Sequence, residues 1–311
     1  MKVVFMGTPD FSVPALNALV EGGHEVALVV SQPDKPKGRG KAMQMTPVKA
    51  RAVELGLPVA TPLKVRGNEE FLTQLREINP DVIVVIAYGQ ILTKDVLYLA
   101  KYGCVNIHAS LLPKYRGAAP IQWAVIDGEK VSGVTTMQMN EGIDTGDMLD
   151  RVEVELSEDE TGGSLFDKLA EAGGKLILKT LEKIENGTSV PIPQTGESYY
   201  VGTISKAMGE FDWNKSAEVI ERLIRGLNPW PSAYTLLDEK TLKLWRAKVN
   251  VYPSDTAYLP GQITRVDKDS FTVQCGEGTL TITALQLEGK KRMETDAFLR
   301  GYSVTVGQQL G

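Results

Sequence analysis

The chain has 311 residues, 42% of them hydrophobic and 23% charged, and a formal net charge of −5, enough for two domains or one large one around an extensive core. No apolar run approaches the roughly 20 residues of a transmembrane helix. The opening Met1–Gly7 is too short for a signal peptide, and Cys104 and Cys275 show neither metal-ligand spacing nor a disulfide framework, so a cytoplasmic protein is expected. The net charge disfavours wholesale coating of nucleic acid but leaves room for a local basic surface, since screening confines a patch to about 10 Å.

Strand and helix signals alternate through the first half. Val3 to Met6 reads as a buried strand, followed by a Gly7-Thr8-Pro9-Asp10 turn. A helix then carries Val13, Leu16, Leu19 and Val20 on one face and stops at Gly22-Gly23. Val26 to Val30 is the next strand. From Ser31 to Arg51 the only acid is Asp34, set against Lys35, Lys37, Arg39, Lys41, Lys49 and Arg51. Helices are marked by Val48, Ala52 and Leu55, ended by Gly56, and by Phe71, Leu75 and Ile78. Val82 to Ile86 is a β-branched run typical of a strand covered on both faces. This rhythm predicts an α/β, doubly wound, mostly parallel Rossmann-like sheet.

Composition shifts near residue 187, where Gly187 to Gln194 resembles the start of a linker. Ile220, Leu223, Ile224 and Leu227 mark a helix closed by Asn228-Pro229-Trp230-Pro231. Strand-like runs follow at Leu242 to Val251, Gln262 to Val266, Phe271 to Cys275 and Leu280 to Leu287, which predict a small closed or partly open barrel of OB-like type. Residues 207–311 carry 13 acidic and 13 basic side chains. A nucleic-acid contact there would need a patch such as Lys290-Lys291-Arg292.

Of two histidines, His24 sits in a turn between helix and strand and reads as a surface residue. His108 lies in Val105-Asn106-Ile107-His108-Ala109-Ser110, where a two-residue period puts Asn106, His108 and Ser110 on one face. From spacing alone, a core histidine satisfied by a buried asparagine explains this equally well. Asn140-Glu141-Gly142-Ile143-Asp144-Thr145-Gly146-Asp147 then offers a carboxylate on a glycine-punctuated loop, able to hold an imidazole in one tautomer. A plain Asx turn is the alternative, and the spacing does not match a calcium loop. Asn, His and Asp together offer two donors for an oxyanion and one proton acceptor. No serine or cysteine nucleophile with its own base is evident, so direct attack by a substrate amine is favoured over an acyl-enzyme. Neither G-x-G-x-x-G nor a G-x-x-x-x-G-K-[ST] loop is present.

Asn106-Ile107-His108-Ala109-Ser110-Leu111-Leu112-Pro113-Lys114-Tyr115-Arg116-Gly117 resembles the signature of the 10-formyltetrahydrofolate-dependent formyltransferases, and Gly142-Ile143-Asp144-Thr145-Gly146-Asp147 is similar to their catalytic aspartate loop. The resemblance implies a catalytic trio of Asn106, His108 and Asp144. It implies folate contacts from Ser110, Leu111, Leu112 and Pro113, with the pteridine near Tyr88, Gly89, Ile91, Leu92, Asn140 and Gly142. Three further stretches resemble the branch acting on methionyl-tRNA: Gly7-Thr8-Pro9-Asp10-Phe11, the run from Gln32 to Lys41, and Asn228-Pro229-Trp230-Pro231 with Gly289-Lys290-Lys291. They imply tRNA contacts from Lys35, Lys37, Arg39, Lys41, Lys290 and Lys291.

The implied organisation is a catalytic domain over 1–189, a linker over 190–206 and an OB-like tRNA-binding domain over 207–311. The implied reaction moves the formyl group of 10-formyltetrahydrofolate, a consumed co-substrate, onto the α-amine of initiator methionyl-tRNA. A monomer without metal or membrane attachment would carry it out. The rivals are a sugar-nucleotide N-formyltransferase with the same trio and a non-catalytic RNA-binding protein.

Overall fold

The apolar run at the start of the chain forms β1 (Lys2–Gly7) in a computed structural model that describes residues 1–37, 42–250 and 257–311. The chain divides into two units. The first comprises Met1–Pro120, Val131–Glu155 and Phe166–Val201, and the second Ile121–Lys130, Leu156–Leu165 and Gly202–Gly311.

In the first unit β2 (Glu25–Val30), β3 (Lys35–Lys37), β4 (Ala42–Gln44), β5 (Val59–Ala60), β6 (Val82–Ile86), β7 (Cys104–His108), β8 (Arg116–Gly117), β9 (Val131–Gln138), β10 (Met148–Glu155) and β11 (Tyr200–Val201) follow β1. The main sheet has the order β10-β9-β7-β6-β1-β2-β5. Its five strands from β7 to β5 are parallel, and β9 and β10 add antiparallel pairs at one side. Chain order reverses between β1 and β6, because β2 and β5 build outward on one side and β6 and β7 on the other. The crevice beyond the carboxyl ends of strands at such a reversal is where doubly wound sheets bind ligands. Ser12 Oγ donates to the Ile86 carbonyl at 2.8 Å and Thr8 Oγ1 to the Tyr88 carbonyl at 2.8 Å, tying the ends of β1 and β6 together.

Helices α1 (Val13–Glu21), α2 (Pro47–Glu54), α3 (Glu69–Ile78) and α4 (Lys94–Leu97) belong to this unit, α5 (Pro120–Ile126) belongs to the second from Ile121 on, and α6 (Gly162–Glu185) belongs to the first from Phe166 on. Local signals set their ends. Thr46 caps α2 by accepting from the Lys49 N–H, with Pro47 in the first turn, and Asn68 caps α3 by accepting from the Phe71 N–H at 3.0 Å. Asn79 ends α3 in the left-handed region at φ 48°. Inside α6, Gly173 and Gly174 cost the helix about 1 kcal/mol each relative to alanine. A Cβ on Gly174 would stand 3.0 Å from the Pro14 carbonyl oxygen, and one on Gly173 3.0 Å from Ile107 Cγ2. The missing Cβ of Gly173 lets α6 lie close over β7, on the face opposite Asn106 and His108, and that of Gly174 lets it approach the backbone of α1.

The second unit holds α7 (Ala217–Gly226), β12 (Ala233–Leu237), β13 (Lys240–Asn250), β14 (Ile263–Val266), β15 (Phe271–Gln274), β16 (Thr279–Leu287), β17 (Met293–Glu294) and α8 (Thr295–Leu299). The antiparallel order is β12-β13-β16-β15-β14, with β17 on β16. Four strands fall on the predicted runs; Val251 lies outside the described residues. β12 was not anticipated, because five residues after a proline-rich turn carry too short an alternation to stand out. The last residues join the two edge strands: the Leu310 N–H reaches the Gly261 carbonyl at 2.9 Å, the Ile263 N–H reaches Gln308 at 2.9 Å, and the Gly311 N–H reaches Leu236 on β12 at 3.0 Å. Residues 308–311 therefore link the two edges of the antiparallel sheet around one interior. Phe271, Ile282, Leu244, Leu285, Ile220 and Ile224 are among the side chains that fill it.

Among the described residues no helix is long and apolar enough to cross a membrane.

Candidate active site

β7 delivers the central residues. Every residue of the strand is buried, and Asn106 and His108 retain 9% and 6% of their surface. A polar group on so covered a strand needs a partner. His108 has two: its Nε2 lies 2.9 Å from the Tyr115 carbonyl, and its Nδ1 lies 3.6 Å from Asp144 Oδ2. A carbonyl can only accept, so Nε2 carries a proton and Nδ1 is the nitrogen turned to the carboxylate. The Asn106 side chain makes no hydrogen bond among the described residues, which leaves its amide N–H groups available.

The loop after β9 brings Asp144 to this face. Asn140 Oδ1 accepts from the Gly142 N–H at 3.0 Å and from Thr145 Oγ1 at 2.8 Å, folding the loop on itself. A Cβ on Gly146 would overlap the Gln138 carbonyl oxygen, so only glycine permits this return. Asp144 sits in the left-handed region at φ 51°, and its Oδ2 also accepts from the Gly117 N–H at 2.9 Å. Ala87 at φ 46° and Tyr115 at φ 57° share that conformation. Each such residue costs about 1–2 kcal/mol, and strain of this kind gathers where a site dictates the backbone.

The segment after His108 is held from within. Ser110 is fully buried, and its Oγ donates to the Lys114 carbonyl at 2.6 Å. Thr135 Oγ1 donates to the Ser110 carbonyl at 2.7 Å and accepts from the Leu112 N–H at 3.1 Å. Leu112 is buried, whereas Leu111 and Pro113 are half-buried. The Ser110 hydroxyl thus shapes the turn and is not turned outward, a point the alternation of polar residues did not distinguish.

Tyr88 and Leu92 are buried, with Tyr88 only 2% exposed, while Ile91 is 82% exposed. The Tyr88 hydroxyl has no hydrogen-bond partner among the described residues, and burial pushes its pKa up to about 12. Gly89 turns at φ 84°, and Gln32 Nε2 donates to its carbonyl at 3.1 Å. A cleft of about 640 Å³ opens here, lined by Gln32, Leu63, Lys64, Arg66, the segment Gly89 to Lys94, and Glu141. The trio is not in its lining. Lys94 bonds Glu141 at 2.8 Å, linking the cleft to the Asp144 loop.

The basic stretch after β2 forms the antiparallel pair β3–β4. Lys49 Nζ neutralises Asp34 at 2.7 Å, so the sole acid of the stretch is already engaged. Lys35 is exposed; the side chain of Lys37 and all of Arg39 and Lys41 lie outside the described residues. In the second unit Lys290 and Lys291 are exposed in the turn between β16 and β17, and Arg292 stacks on the Trp245 ring at 4.8 Å. Sequence reasoning missed Gln32, whose only signal was its place at the head of the basic stretch. It also missed Gln194, whose Nε2 donates to the Asp144 and Gly146 carbonyls.

Residues 1–181 match the family model described as "Formyl transferase", and residues 203–303 match "Formyl transferase, C-terminal domain". The chain is 57% identical over 308 residues to a methionyl-tRNA formyltransferase of Agathobacter rectalis, covering 99% of this chain and 98% of that protein. It is 54% identical over 315 residues to one from Lachnospira eligens, covering 100% of both. Among solved structures, WlaRD, a sugar 3N-formyl transferase in the presence of dTDP and 5-N-formyl-THF, superposes with a TM-score of 0.68 at 19% identity over 94% of this chain and 99% of that one. HypX from Aquifex aeolicus, in complex with tetrahydrofolic acid, gives 0.61 at 18% over 97% of this chain and 47% of that one. At such identities these two structures share the fold alone.

Proposed function

We infer the activity from one premise: this chain belongs to the methionyl-tRNA formyltransferase family. It formylates the amine of methionyl-tRNA, the initiator form being the substrate in this reading. The observation that carries this is identity of 44–57% to methionyl-tRNA formyltransferases along nearly the whole chain, both matched regions included. The sugar-directed alternative rests on fold likeness at 18–21% identity and is the weaker reading.

The formyl donor is 10-formyltetrahydrofolate, a substrate consumed in each turnover. The residues present suit it. Leu63, Ile91 and Leu92 give the cleft apolar surface for a planar ring, and Lys64, Arg66 and Lys94 give it cations for an anionic tail. Gly89 and the Asn140–Gly142 turn border the ring, while Leu111, Leu112 and Pro113 contact it from the segment that Ser110 braces.

The roles follow from the hydrogen-bond inventory. Asn106 offers its unengaged amide N–H to the formyl oxygen, where negative charge develops as the amine attacks. The Nε2 proton of His108 is committed to Tyr115, so Nδ1 is the nitrogen able to take the amine's proton, held against Asp144 Oδ2 at 3.6 Å. Once protonated, Nδ1–H is held by Asp144 Oδ2 and then returns the proton to N10 of the folate as the C–N10 bond breaks and tetrahydrofolate leaves. Asp144 orients the ring and balances its charge.

Lys35, Lys37, Arg39 and Lys41 grip tRNA phosphates from the 1–189 region, and Lys290 and Lys291 do so from 207–311. The reading includes a monomer acting in the cytoplasm without metal. Formyl transfer from 10-formyltetrahydrofolate should be fast with initiator methionyl-tRNA and slow with elongator methionyl-tRNA and with nucleotide-linked amino sugars. Preference for the amino sugar would overturn the assignment.

A further inference from the structure

Residues 190–206 have the composition of a linker, yet in the structure residues 192–201 run across both segments that bear on His108. Ile192 and Met148 exchange backbone hydrogen bonds at 2.8 Å, which joins this strap to the end of the Asp144 loop. The Arg116 N–H reaches the Tyr199 carbonyl at 3.1 Å and the Ala118 N–H reaches Val201 at 3.0 Å, where β11 pairs with β8. Between these anchors, Gln194 is the one residue of 191–200 that is not exposed.

Its amide is fully used. Nε2 donates to the Asp144 carbonyl at 2.9 Å and to the Gly146 carbonyl at 2.7 Å, while Oε1 accepts from Arg116 Nε at 3.0 Å and Nη2 at 2.8 Å. One side chain thus joins the peptide carrying Asp144 to the segment that supplies both the Tyr115 carbonyl on His108 Nε2 and the Gly117 N–H on Asp144 Oδ2. Asp144 stands in the left-handed region, a conformation that costs about 1–2 kcal/mol and relaxes unless its surroundings hold it. Both carbonyl acceptors require a donor, and Arg116 requires an acceptor. Among side chains of this length only glutamine supplies all of these; glutamate cannot donate.

We propose that Gln194 is a positioning residue that sets the Asp144 carboxylate against His108 Nδ1 by clamping the Asp144 and Gly146 carbonyls. This rests on the catalytic reading of Asp144 given above. Misplacing a catalytic group by about 1 Å costs on the order of 100-fold in rate, so loss of the clamp should show in kcat while both KM values stay near parental.

The test is a double-mutant cycle in single-turnover formyl transfer, with Gln194→Ala, Gln194→Glu, Asp144→Asn and the double variant Gln194→Ala/Asp144→Asn. Gln194→Ala should lower kcat about 10–100-fold. The double variant should be no slower than Asp144→Asn alone, because both changes remove the same function. Gln194→Glu keeps the acceptor for Arg116 and loses both donors, so it should be as slow as Gln194→Ala. A parental kcat in either glutamine variant, or effects that multiply with Asp144→Asn, would overturn the proposal. Should Gln194→Ala fail to fold, Gln194→Glu decides, since its tether to Arg116 is intact. If Asp144→Asn alone turns over at the parental rate, the catalytic reading of Asp144 falls, and this inference with it.

Discussion

Strands β7 and β16, one from each unit, treat polar residues in opposite ways. In the first unit β6 and β7 are buried at every position, because helices cover both faces of a parallel sheet. In the second, β16 alternates: Leu280, Ile282 and Ala284 face the core, while Thr279, Thr281 and Thr283 face outward. A polar side chain on β16 needs no special reason, and Thr281 simply bonds Asn250 and Thr272. On β7 the same kind of residue is costly unless something satisfies it. The free amide of Asn106 and the twice-faced ring of His108 are therefore the informative positions, and the threonines of β16 are ordinary half-buried surface.

This contrast can be broken at several points. The largest expected effect lies in the second core. Phe271 is fully buried there, and Phe271→Ala should lower unfolding free energy by about 3–5 kcal/mol. All four tryptophans (123, 213, 230 and 245) belong to the second unit, so urea unfolding followed by tryptophan fluorescence reads that core directly. A loss below 1 kcal/mol would mean that the sheet does not enclose a packed interior.

On β7 the expected cost is to rate. His108→Ala and Asn106→Ala should each lower kcat about 10²–10³-fold, or about 2.7–4 kcal/mol of transition-state stabilisation. Thr281→Ala, the same operation on the alternating strand, should leave kcat at its parental value. Near-normal turnover in His108→Ala would return that residue to the role of a satisfied core histidine.

Tyr88→Phe measures the cost of an idle polar atom buried just beyond the end of β6. An unpartnered buried hydroxyl costs about 1–3 kcal/mol, so its removal should stabilise the protein by up to that amount. The pH dependence has a definite sign. Below pH 10 the phenol is neutral in both states; between pH 10 and about 12 only the unfolded chain ionises, so this contribution to stability is lost as pH rises through that window. Alkaline unfolding compared between the parent and Tyr88→Phe should show a shallower decline in the variant. Destabilisation on removal of the hydroxyl would show that it has a partner.

The smallest effect belongs to the outward surface. Lys290→Ala should reduce the salt slope of tRNA binding by roughly 0.9 unit and leave kcat alone. An unchanged slope would remove Lys290 from the tRNA contact.

Much of the fold was legible because its signals are local. The β-branched run Val82–Ile86, the spacing of Phe71 and Leu75, and the glycines that close helices each report on a few neighbouring residues. The face shared by Asn106 and His108 was legible for the same reason, since a strand's two-residue period is geometric. The inward turn of Ser110 was not: its hydroxyl donates to the Lys114 carbonyl across a turn of the backbone that Thr135 holds from 25 positions away by bonding the Ser110 carbonyl. Nor was β12, whose burial alternation of buried and half-buried residues exists only against β13.

Short stretches of sequence carried the parallel character of the first sheet, the strand runs of the second, and the residue types from which a formyl-transfer site can be built, since propensity, periodicity and side-chain chemistry are local properties. Tertiary structure alone decided which of them meet. Asp144 reaches His108 from 36 positions along the chain, and Gln194 reaches Asp144 from 50. Contacts of that range depend on how strands order themselves in the sheet and how the chain returns across it, and no local pattern encodes that closure.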